Sequence, residues 1–265
     1  MKQLLRRFVQ LLLPARCSAC QRTGPDAICE QCSRELELVI PRYCMKCGRR
    51  RSTEYSSPDC AECHGLDIGV ARSRSGYIYN ELGRTLLADF KFNGNLAVGQ
   101  ELAERVLARI PTRAPRLFDE PGLVLDAILP VPLHPRRRRE RRFNQSELLS
   151  RMLADHMRLP MRTDLLVRSR ETETQVGLTQ AQRRSNVSGA FDVSPRWQRR
   201  LTGQRFIVVD DLMTTGSTLA ACARALRRRG ADAVYGLTLF STNPLVHPAD
   251  RLAEDDFHNV PPPLI

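Results

Sequence analysis

A short segment near the carboxyl end of the chain combines two acidic residues with a cluster of hydroxyl side chains. Asp210 and Asp211 follow the apolar run 206–209 directly. The residues that come next form a turn rich in hydroxyl groups: Thr214, Thr215, Gly216, Ser217 and Thr218. Glycine lets the backbone approach a phosphate, and hydroxyl groups supply hydrogen-bond donors. Carboxylates repel phosphate, so their partners must be hydroxyl groups or a bound divalent cation. Sugar hydroxyls together with a phosphate fit both parts of the segment, which therefore predicts a site for a phosphorylated sugar.

The sequence on either side predicts a strand, a helix and a second strand around this turn. Residues 206–209 are consecutive β-formers, 219–229 carry Ala, Leu and Arg at helical spacing before Gly230, and 233–240 are apolar again. In such a unit the turn lies at the carboxyl end of the first strand and the amino end of the helix, which favours an anion. A Walker-type phosphate loop is excluded because no lysine follows the glycine. An ordinary capped turn is the alternative interpretation.

The string VVDDLMTTGSTL resembles the signature of type I phosphoribosyltransferases that binds phosphoribosyl pyrophosphate (PRPP). By this resemblance, the turn 214–218 holds the 5-phosphate of PRPP. Asp210 and Asp211 bind the 2- and 3-hydroxyls of the ribose and support developing positive charge, which makes them the candidate catalytic residues. Mg²⁺ is expected to accompany PRPP and to neutralise its pyrophosphate.

Eight of the nine cysteines precede residue 64 and form four Cys-x-x-Cys pairs. The pairs are Cys17 and Cys20, Cys29 and Cys32, Cys44 and Cys47, and Cys60 and Cys63. Two pairs at this spacing complete a four-thiolate site of the kind that binds structural Zn²⁺, so the sequence predicts two zinc ions. The simplest assignment gives the first four cysteines to one ion and the last four to the other, and a cross-braced pairing would use the same ligands. Disulfides and iron–sulfur ligation are less favoured alternatives, and Cys222 is expected to be a core residue.

The composition is that of a globular protein with a basic surface. The chain has 265 residues, 42% of them hydrophobic, and a formal net charge of +12. This charge favours polyanionic partners, although a merely soluble basic surface explains it equally well. Residues 1–14 are too short and too interrupted for a membrane span and predict an amphipathic helix that docks on the protein or on a membrane surface. Reduced zinc thiolates predict a cytoplasmic protein without stable membrane insertion.

The remaining pattern predicts an α/β fold with a parallel sheet. Predicted strands are 77–79, 126–131, 164–167, 206–209 and 233–240, and predicted helices are 81–89, 96–110, 145–158 and 219–229. We expect three regions: an amino-terminal helix and zinc module over 1–70, the α/β domain over 71–240, and a mobile tail over 241–265.

Two further segments are expected to lie near the phosphate turn. Six of the seven residues 136–142 are arginine, directly after a proline-rich strand end. One or two of these arginines are expected to hold the pyrophosphate of PRPP, with the rest on a solvated face or against nucleic acid. The polar segment 168–178 predicts a lid that excludes water from the site, or else a plain surface loop.

Taken in order along the chain, these motifs resemble the ComF/GntX family. The motifs are the cysteine pairs, FKFNG at 90–94, PVPLHP at 130–135, FNQ at 143–145, QVGL at 175–178 with Arg183 and Asn186, and the turn at 210–218. The resemblance covers about residues 1–240. It implies a double zinc ribbon ahead of a type I phosphoribosyltransferase domain, in a family linked to natural competence and the use of external DNA. The matched motifs add Lys91, Pro132, His134 and Arg136 as candidate PRPP-binding residues, whereas Arg142 stands where the family usually has glycine.

Two functions follow from this pattern. The first is an enzyme that displaces pyrophosphate from PRPP with an acceptor that no segment identifies, in DNA uptake or nucleotide metabolism. The second is a non-catalytic protein that senses PRPP or a nucleotide and binds single-stranded DNA, with competence helicase-type proteins as further partners. Few aromatic residues flank the arginines, which weakens a base-stacking surface.

Overall fold

The computed structural model describes residues 16–39, 43–50, 59–60, 63, 68–141, 143–170, 182 and 186–242. The predicted amino-terminal helix, the tail beyond residue 242, most of the predicted lid and Arg183 lie outside these residues.

The described part of the chain contains six strands and seven α-helices. The strands are β1 (Ser73–Tyr79), β2 (Ala127–Pro130), β3 (Leu166–Arg168), β4 (Phe191–Val193), β5 (Arg205–Met213) and β6 (Ala233–Thr242). The helices are α1 (Glu30–Glu35), α2 (Glu81–Phe92), α3 (Leu96–Leu107), α4 (Ala114–Leu117), α5 (Pro135–Arg141), α6 (Gln145–Met157) and α7 (Ser217–Arg227).

Four strands form one parallel sheet in the order β1-β6-β5-β2. Each face of the sheet is covered, and β5 shows this directly. Ile207 and Val209 belong to a core with α2, α3 and α6, whereas Phe206 and Val208 belong to a second core with α7 and β4. This alternation is the two-residue period of a strand that is buried on both sides. The α/β fold with a parallel sheet is therefore confirmed, and Cys222 is fully buried in the second core as expected.

The predicted strand at 164–167 exists but does not join the parallel sheet. β3 pairs antiparallel with β4 in a separate two-stranded sheet. Residues 160 and 161, which precede β3, lie along the outer edge of β2. The Ile128 N–H donates to the Pro160 carbonyl, and Met161 forms a parallel bridge with Ile128. The sequence interpretation was wrong in assigning the strand predicted at 164–167 to the main sheet, because periodicity reports a strand but not its partner.

The cysteine-rich segment lies along β1, which is an edge strand of the sheet. The Val39 N–H donates to the Gly76 carbonyl, the Ile78 N–H donates to the Glu37 carbonyl, and the Ser73 N–H donates to the Lys46 carbonyl. Leu38 forms an antiparallel bridge with Tyr77. These bonds satisfy backbone groups that an edge strand would otherwise leave unpaired. The predicted boundary at residue 70 stays a prediction.

Candidate functional site

Asp210 and Asp211 lie in the carboxyl-terminal half of β5, which continues past the predicted end of the strand to Met213. Residue Gly216 then has φ +76° and precedes the first residue of α7. This left-handed conformation is the one that glycine adopts without strain. The hydroxyl turn therefore connects a parallel strand directly to a helix amino terminus, as the sequence predicts, and the helix dipole favours an anion there.

Asp211 forms an ion pair with Lys91. The Lys91 Nζ lies 2.8 Å from Asp211 Oδ1, and the two side chains are only 15% and 11% exposed. Lys91 is in the last turn of α2, and its backbone carbonyl accepts a hydrogen bond from Gln145 Nε2 at 3.4 Å. Two sequence motifs that are far apart in the chain, FKFNG and FNQ, thus meet beside the acidic pair.

Asp210 has neutral partners instead. Its Oδ1 accepts hydrogen bonds from the Ser146 hydroxyl at 3.2 Å and from the Asp211 N–H at 2.9 Å. Burial and the neighbouring Asp211 charge raise the pKa of Asp210 to about 7, and Lys91 and the two hydrogen bonds only partly oppose this rise. Near neutral pH, Asp210 is therefore close to its titration point, whereas its neighbour Asp211 is paired with a lysine.

The hydroxyl turn is organised by its own side chains and by two distant residues. Thr215 Oγ1 and Ser217 Oγ are 2.7 Å apart, and the Ser217 N–H donates to Thr215 Oγ1 at 3.4 Å. The Thr214 carbonyl accepts from Arg49 Nη1 and from the Thr242 hydroxyl, each at 3.3 Å. The turn thus has hydroxyl groups that a phosphate could recruit and a backbone carbonyl that is held by other parts of the chain.

The segment after β2 is fixed by Asn144 at the start of α6. Asn144 Nδ2 donates to the Val131 carbonyl at 3.0 Å, and its Oδ1 caps the helix by accepting from the Ser146 N–H at 3.1 Å. Pro132 is half-buried. The Nδ1 atom of His134 is buried and has no hydrogen-bond partner among the described residues.

The arginine-rich run forms the short helix α5, in which Arg136, Arg138 and Arg139 are exposed. Arg136 forms an ion pair with Glu140 at 3.1 Å within the same helix, and Arg138 forms one with Glu147 of α6 at 3.1 Å. The described ion pairs of the run therefore direct two arginines to glutamates rather than to the hydroxyl turn. A pyrophosphate role for Arg136 stays a prediction.

The cysteines form two groups of four that could each hold a metal ion. The groups are Cys17, Cys20, Cys29 and Cys32, and Cys44, Cys47, Cys60 and Cys63, and within each group the sulfur atoms lie within 4.8 Å of one another. Backbone N–H groups donate to sulfur in both, from Cys29 to Cys17 at 3.3 Å and from Cys60 to Cys44 at 3.2 Å. Four converging thiols with donors of this kind fit structural zinc. The arrangement matches the sequential assignment of the cysteines rather than the cross-braced one.

Two residues of this site were missed by the sequence analysis. Ser146 was expected only as part of a helix, although it directly follows the FNQ motif. Arg49 follows the Cys47 pair, and nothing in the cysteine spacing indicates a contact with residue 214. Both contacts join parts of the chain more than 60 residues apart, so only the folded structure brings them together.

Comparison with known proteins agrees with this architecture. A model of the double zinc ribbon domain matches residues 8–64, and a model of the phosphoribosyl transferase domain matches residues 144–256. Competence protein F of Haemophilus influenzae is 29% identical over 227 residues, which cover 84% of this chain and 96% of that protein. DNA utilization protein YhgH of Escherichia coli strain K12 is 31% identical over 228 residues, with the same coverage. Competence protein ComFC of Bacillus subtilis is 27% identical over 219 residues, which cover 81% of this chain and 84% of that protein.

The part of the chain that the structure describes has no helix with the length and apolar character needed to cross a membrane.

Proposed function

Because this chain belongs to the ComF family, whose double zinc ribbon and phosphoribosyltransferase-like domain it shares, we propose that it binds PRPP together with Mg²⁺. We further propose that it transfers the phosphoribosyl group to an acceptor with release of pyrophosphate. The relatives named Competence protein F and DNA utilization protein YhgH support a role for this activity in competence or DNA utilization.

One observation carries the proposal: the acidic pair and the hydroxyl turn lie on one strand–turn–helix unit. Asp210 and Asp211 offer acceptors for sugar hydroxyls, and the turn that starts four residues after Asp210 offers donors at a helix amino terminus for a phosphate. Lys91, which contacts Asp211 at 2.8 Å, keeps the two adjacent carboxylates from acting as an uncompensated negative charge. A ribose 5-phosphate is a ligand that would use both the acidic pair and the hydroxyl turn.

In the proposed reaction, the bond between C1 of the ribose and the pyrophosphate oxygen breaks, and C1 forms a bond to the acceptor atom. The acceptor loses its proton to solvent, and the pyrophosphate leaves with its electron pair. Asp210 and Asp211 hold the ribose hydroxyls and stabilise the positive charge that develops on the ring. Bound Mg²⁺ would supply charge neutralisation for the leaving pyrophosphate. The protein thus acts mainly by position and electrostatics.

The test is calorimetric titration of PRPP with Mg²⁺ into the zinc-loaded protein. Asp210→Asn with Asp211→Asn should lower the affinity at least about tenfold, because charge-assisted hydrogen bonds to the ribose are lost. The matched control is Asp192→Asn with Asp232→Asn, which removes two exposed carboxylates that pair with Arg229 and Arg205. Unchanged PRPP affinity in the first variant would rule out this site.

Release of pyrophosphate separates transfer from simple binding. Wild-type protein with PRPP and Mg²⁺ should release pyrophosphate faster when the correct acceptor is present in a panel of bases, amines and nucleosides. If PRPP binds but no acceptor raises the rate above hydrolysis, the non-catalytic sensor is the better description.

A second candidate function, binding of single-stranded DNA, is supported by helix α5. Arg136, Arg138 and Arg139 are exposed, and the two described glutamate pairs involve Arg136 and Arg138. Changing Arg136, Arg137 and Arg139 to alanine should weaken DNA binding and reduce the slope of log affinity against log salt, because fewer phosphates are neutralised. A salt slope equal to that of wild type would remove α5 as a DNA-binding surface. Contacts with helicase-type proteins stay a prediction.

A further inference from the structure

The second cysteine tetrad consists of Cys44, Cys47, Cys60 and Cys63. It lies beside the hydroxyl turn, and the side chain of Arg49 contacts both. Arg49 Nε donates to Cys47 Sγ at 3.5 Å, and Arg49 Nη1 donates to the Thr214 carbonyl at 3.3 Å. Arg49 is only 7% exposed. A zinc ribbon and a ligand-binding turn that are 165 residues apart in the chain are therefore joined by one buried guanidinium.

The charge of the second tetrad explains why an arginine can be buried there. Four thiolates around one zinc ion carry a net charge of about −2. A guanidinium compensates part of this charge, and its planar fork lets one side chain donate in two directions at once.

The contact with residue 214 fixes the orientation of a peptide plane in the turn. A trans peptide is planar, so a held Thr214 carbonyl also determines the direction of the Thr215 N–H, which points to the opposite side. Carbonyl oxygens repel phosphate, whereas N–H groups bind it. Arg49, together with the Thr242 hydroxyl, therefore keeps the Thr214 carbonyl directed to the ribbon and the Thr215 N–H directed away from it.

The backbone that precedes Arg49 makes it a rigid anchor. Gly48 has φ +73°, and a Cβ at this position would lie 2.4 Å from the Ser73 carbonyl oxygen. The Ser73 N–H also donates to the Lys46 carbonyl at 2.8 Å. The chain that carries Arg49 is thus packed against β1 at van der Waals contact and cannot shift without moving the sheet edge.

We propose that Arg49 is a positioning residue through which the second cysteine tetrad sets the shape of the phosphate-binding turn. The zinc ribbon then has a role in ligand binding in addition to stabilising the fold. The statement about ligand affinity rests on the proposed PRPP function, whereas the link between tetrad and turn does not.

The test compares Arg49→Ala with Arg50→Ala in the full zinc-loaded chain. Arg50 is the adjacent arginine, and it pairs with Glu37 at the surface. Amide hydrogen exchange of residues 214–218 should become roughly tenfold faster in Arg49→Ala, as expected for loss of one hydrogen bond from a charged donor. Capture of zinc by a chelator should accelerate in the same variant. Arg50→Ala should change neither rate.

Two further variants separate positioning from a general loss of folding. Arg49→Lys keeps one cationic donor and should restore part of the protection of the turn. Thr242→Val removes the other donor to the Thr214 carbonyl and should accelerate exchange in the turn without changing the release of zinc. Equal exchange of the turn in Arg49→Ala and Arg50→Ala would overturn the proposal, and so would faster zinc release with an unchanged turn.

Ligand titration completes the experiment. If wild type binds PRPP, Arg49→Ala should bind it about tenfold more weakly and Arg50→Ala should bind it equally well. If wild type binds no PRPP, the proposed function fails, and the exchange rates still decide the role of Arg49.

Discussion

The two adjacent aspartates differ in their partners, and this difference separates their chemistry. Asp211 has a lysine at 2.8 Å. Among the described residues, Asp210 accepts hydrogen bonds from a hydroxyl group and an N–H, and its pKa is raised to about 7 by burial and by the charge of Asp211. Carboxyl groups with raised pKa values are common at functional sites. Binding of a sugar hydroxyl to Asp210 favours its ionised form, because a carboxylate accepts hydrogen bonds at both oxygens.

We therefore predict that binding of ribose 5-phosphate is linked to ionisation of Asp210. Wild type should release a proton on binding between about pH 6 and 7, and its affinity should rise through about pH 7, where Asp210 loses its proton. The measurement is calorimetry in buffers of different ionisation enthalpy. Asp210→Asn should bind more weakly and show only the pH dependence of the phosphate, whose second pKa is about 6. An identical proton release in the variant would assign the linkage to another group.

The raised pKa of Asp210 also makes the free energy of unfolding depend on pH. Because the pKa of Asp210 is higher in the folded protein than the unfolded value of about 3.9, the folded state holds this proton more tightly. The stabilising contribution of the protonated group is present below about pH 4 and is lost as the pH rises to about 7. Asp210→Asn should therefore flatten the fall in stability over this range, which denaturant titrations at several pH values would measure.

At the scale of the elements, the turn between β5 and α7 depends on one glycine. Gly216 has φ +76°, and a Cβ there would meet only Met213 Sδ at 3.8 Å. A side chain therefore has room, and its cost is the left-handed backbone alone. Gly189 provides a matched position, because it has φ +68° and a Cβ there would meet nothing within 4 Å among the described residues.

We predict that Gly216→Ala and Gly189→Ala lose similar stability but differ in ligand binding. Each should lose about 1 kcal/mol of unfolding free energy from the strained φ. Only Gly216→Ala should lower the affinity for ribose 5-phosphate, by roughly tenfold, because relaxation of the strain displaces N–H groups that bind the phosphate. Chemical denaturation and calorimetry of both variants are the measurements. Equal affinity in the two variants would show that the turn does not contact the ligand.

The same elements show which parts of the molecule the sequence could predict. The strand, turn and helix around Gly216 are local in sequence, so composition and periodicity suffice to predict them. The partner of β3 and the contact between Ser146 and Asp210 depend on long-range packing, which a single sequence does not report. The cysteine pairs predicted the tetrads because metal ligands have a fixed spacing. The contact of Arg49 with residue 214 has no such spacing and required the fold.

At the scale of the whole molecule, the cysteine-rich segment is built into the sheet. It forms backbone hydrogen bonds with β1 at three places. The side chain of Arg74, only 7% exposed, ties it further, since it donates to the Met45 and Leu117 carbonyls and pairs with Asp119 at 2.8 Å. Shared backbone hydrogen bonds and a shared buried arginine favour unfolding of the cysteine-rich segment and the α/β domain in one step. A module joined to the domain only by a linker would lack this coupling. The zinc sites are therefore expected to contribute to the stability of the α/β domain.

Gly48→Ala tests this coupling at the closest contact between ribbon and sheet. A Cβ at residue 48 would lie 2.4 Å from the Ser73 carbonyl oxygen and 2.6 Å from Arg74 Cα, at a residue whose φ is already +73°. Overlap with backbone adds to the strain of the left-handed residue, so we expect a loss of about 2 to 4 kcal/mol of unfolding free energy. The control is Gly24→Ala, between Cys20 and Cys29 of the first cysteine group, since a Cβ there would meet nothing within 4 Å among the described residues.

The measurement is thermal unfolding of the zinc-loaded variants, followed both by zinc release and by a signal from the α/β domain. If ribbon and sheet unfold as one unit, Gly48→Ala should lower both transitions together, and Gly24→Ala should leave both near those of wild type. Earlier zinc release with an unchanged transition of the α/β domain would mean that the ribbon unfolds alone. In that case the three hydrogen bonds along β1 add little to the stability of the sheet, and the position of Arg49 would be set by the ribbon without support from the domain it touches.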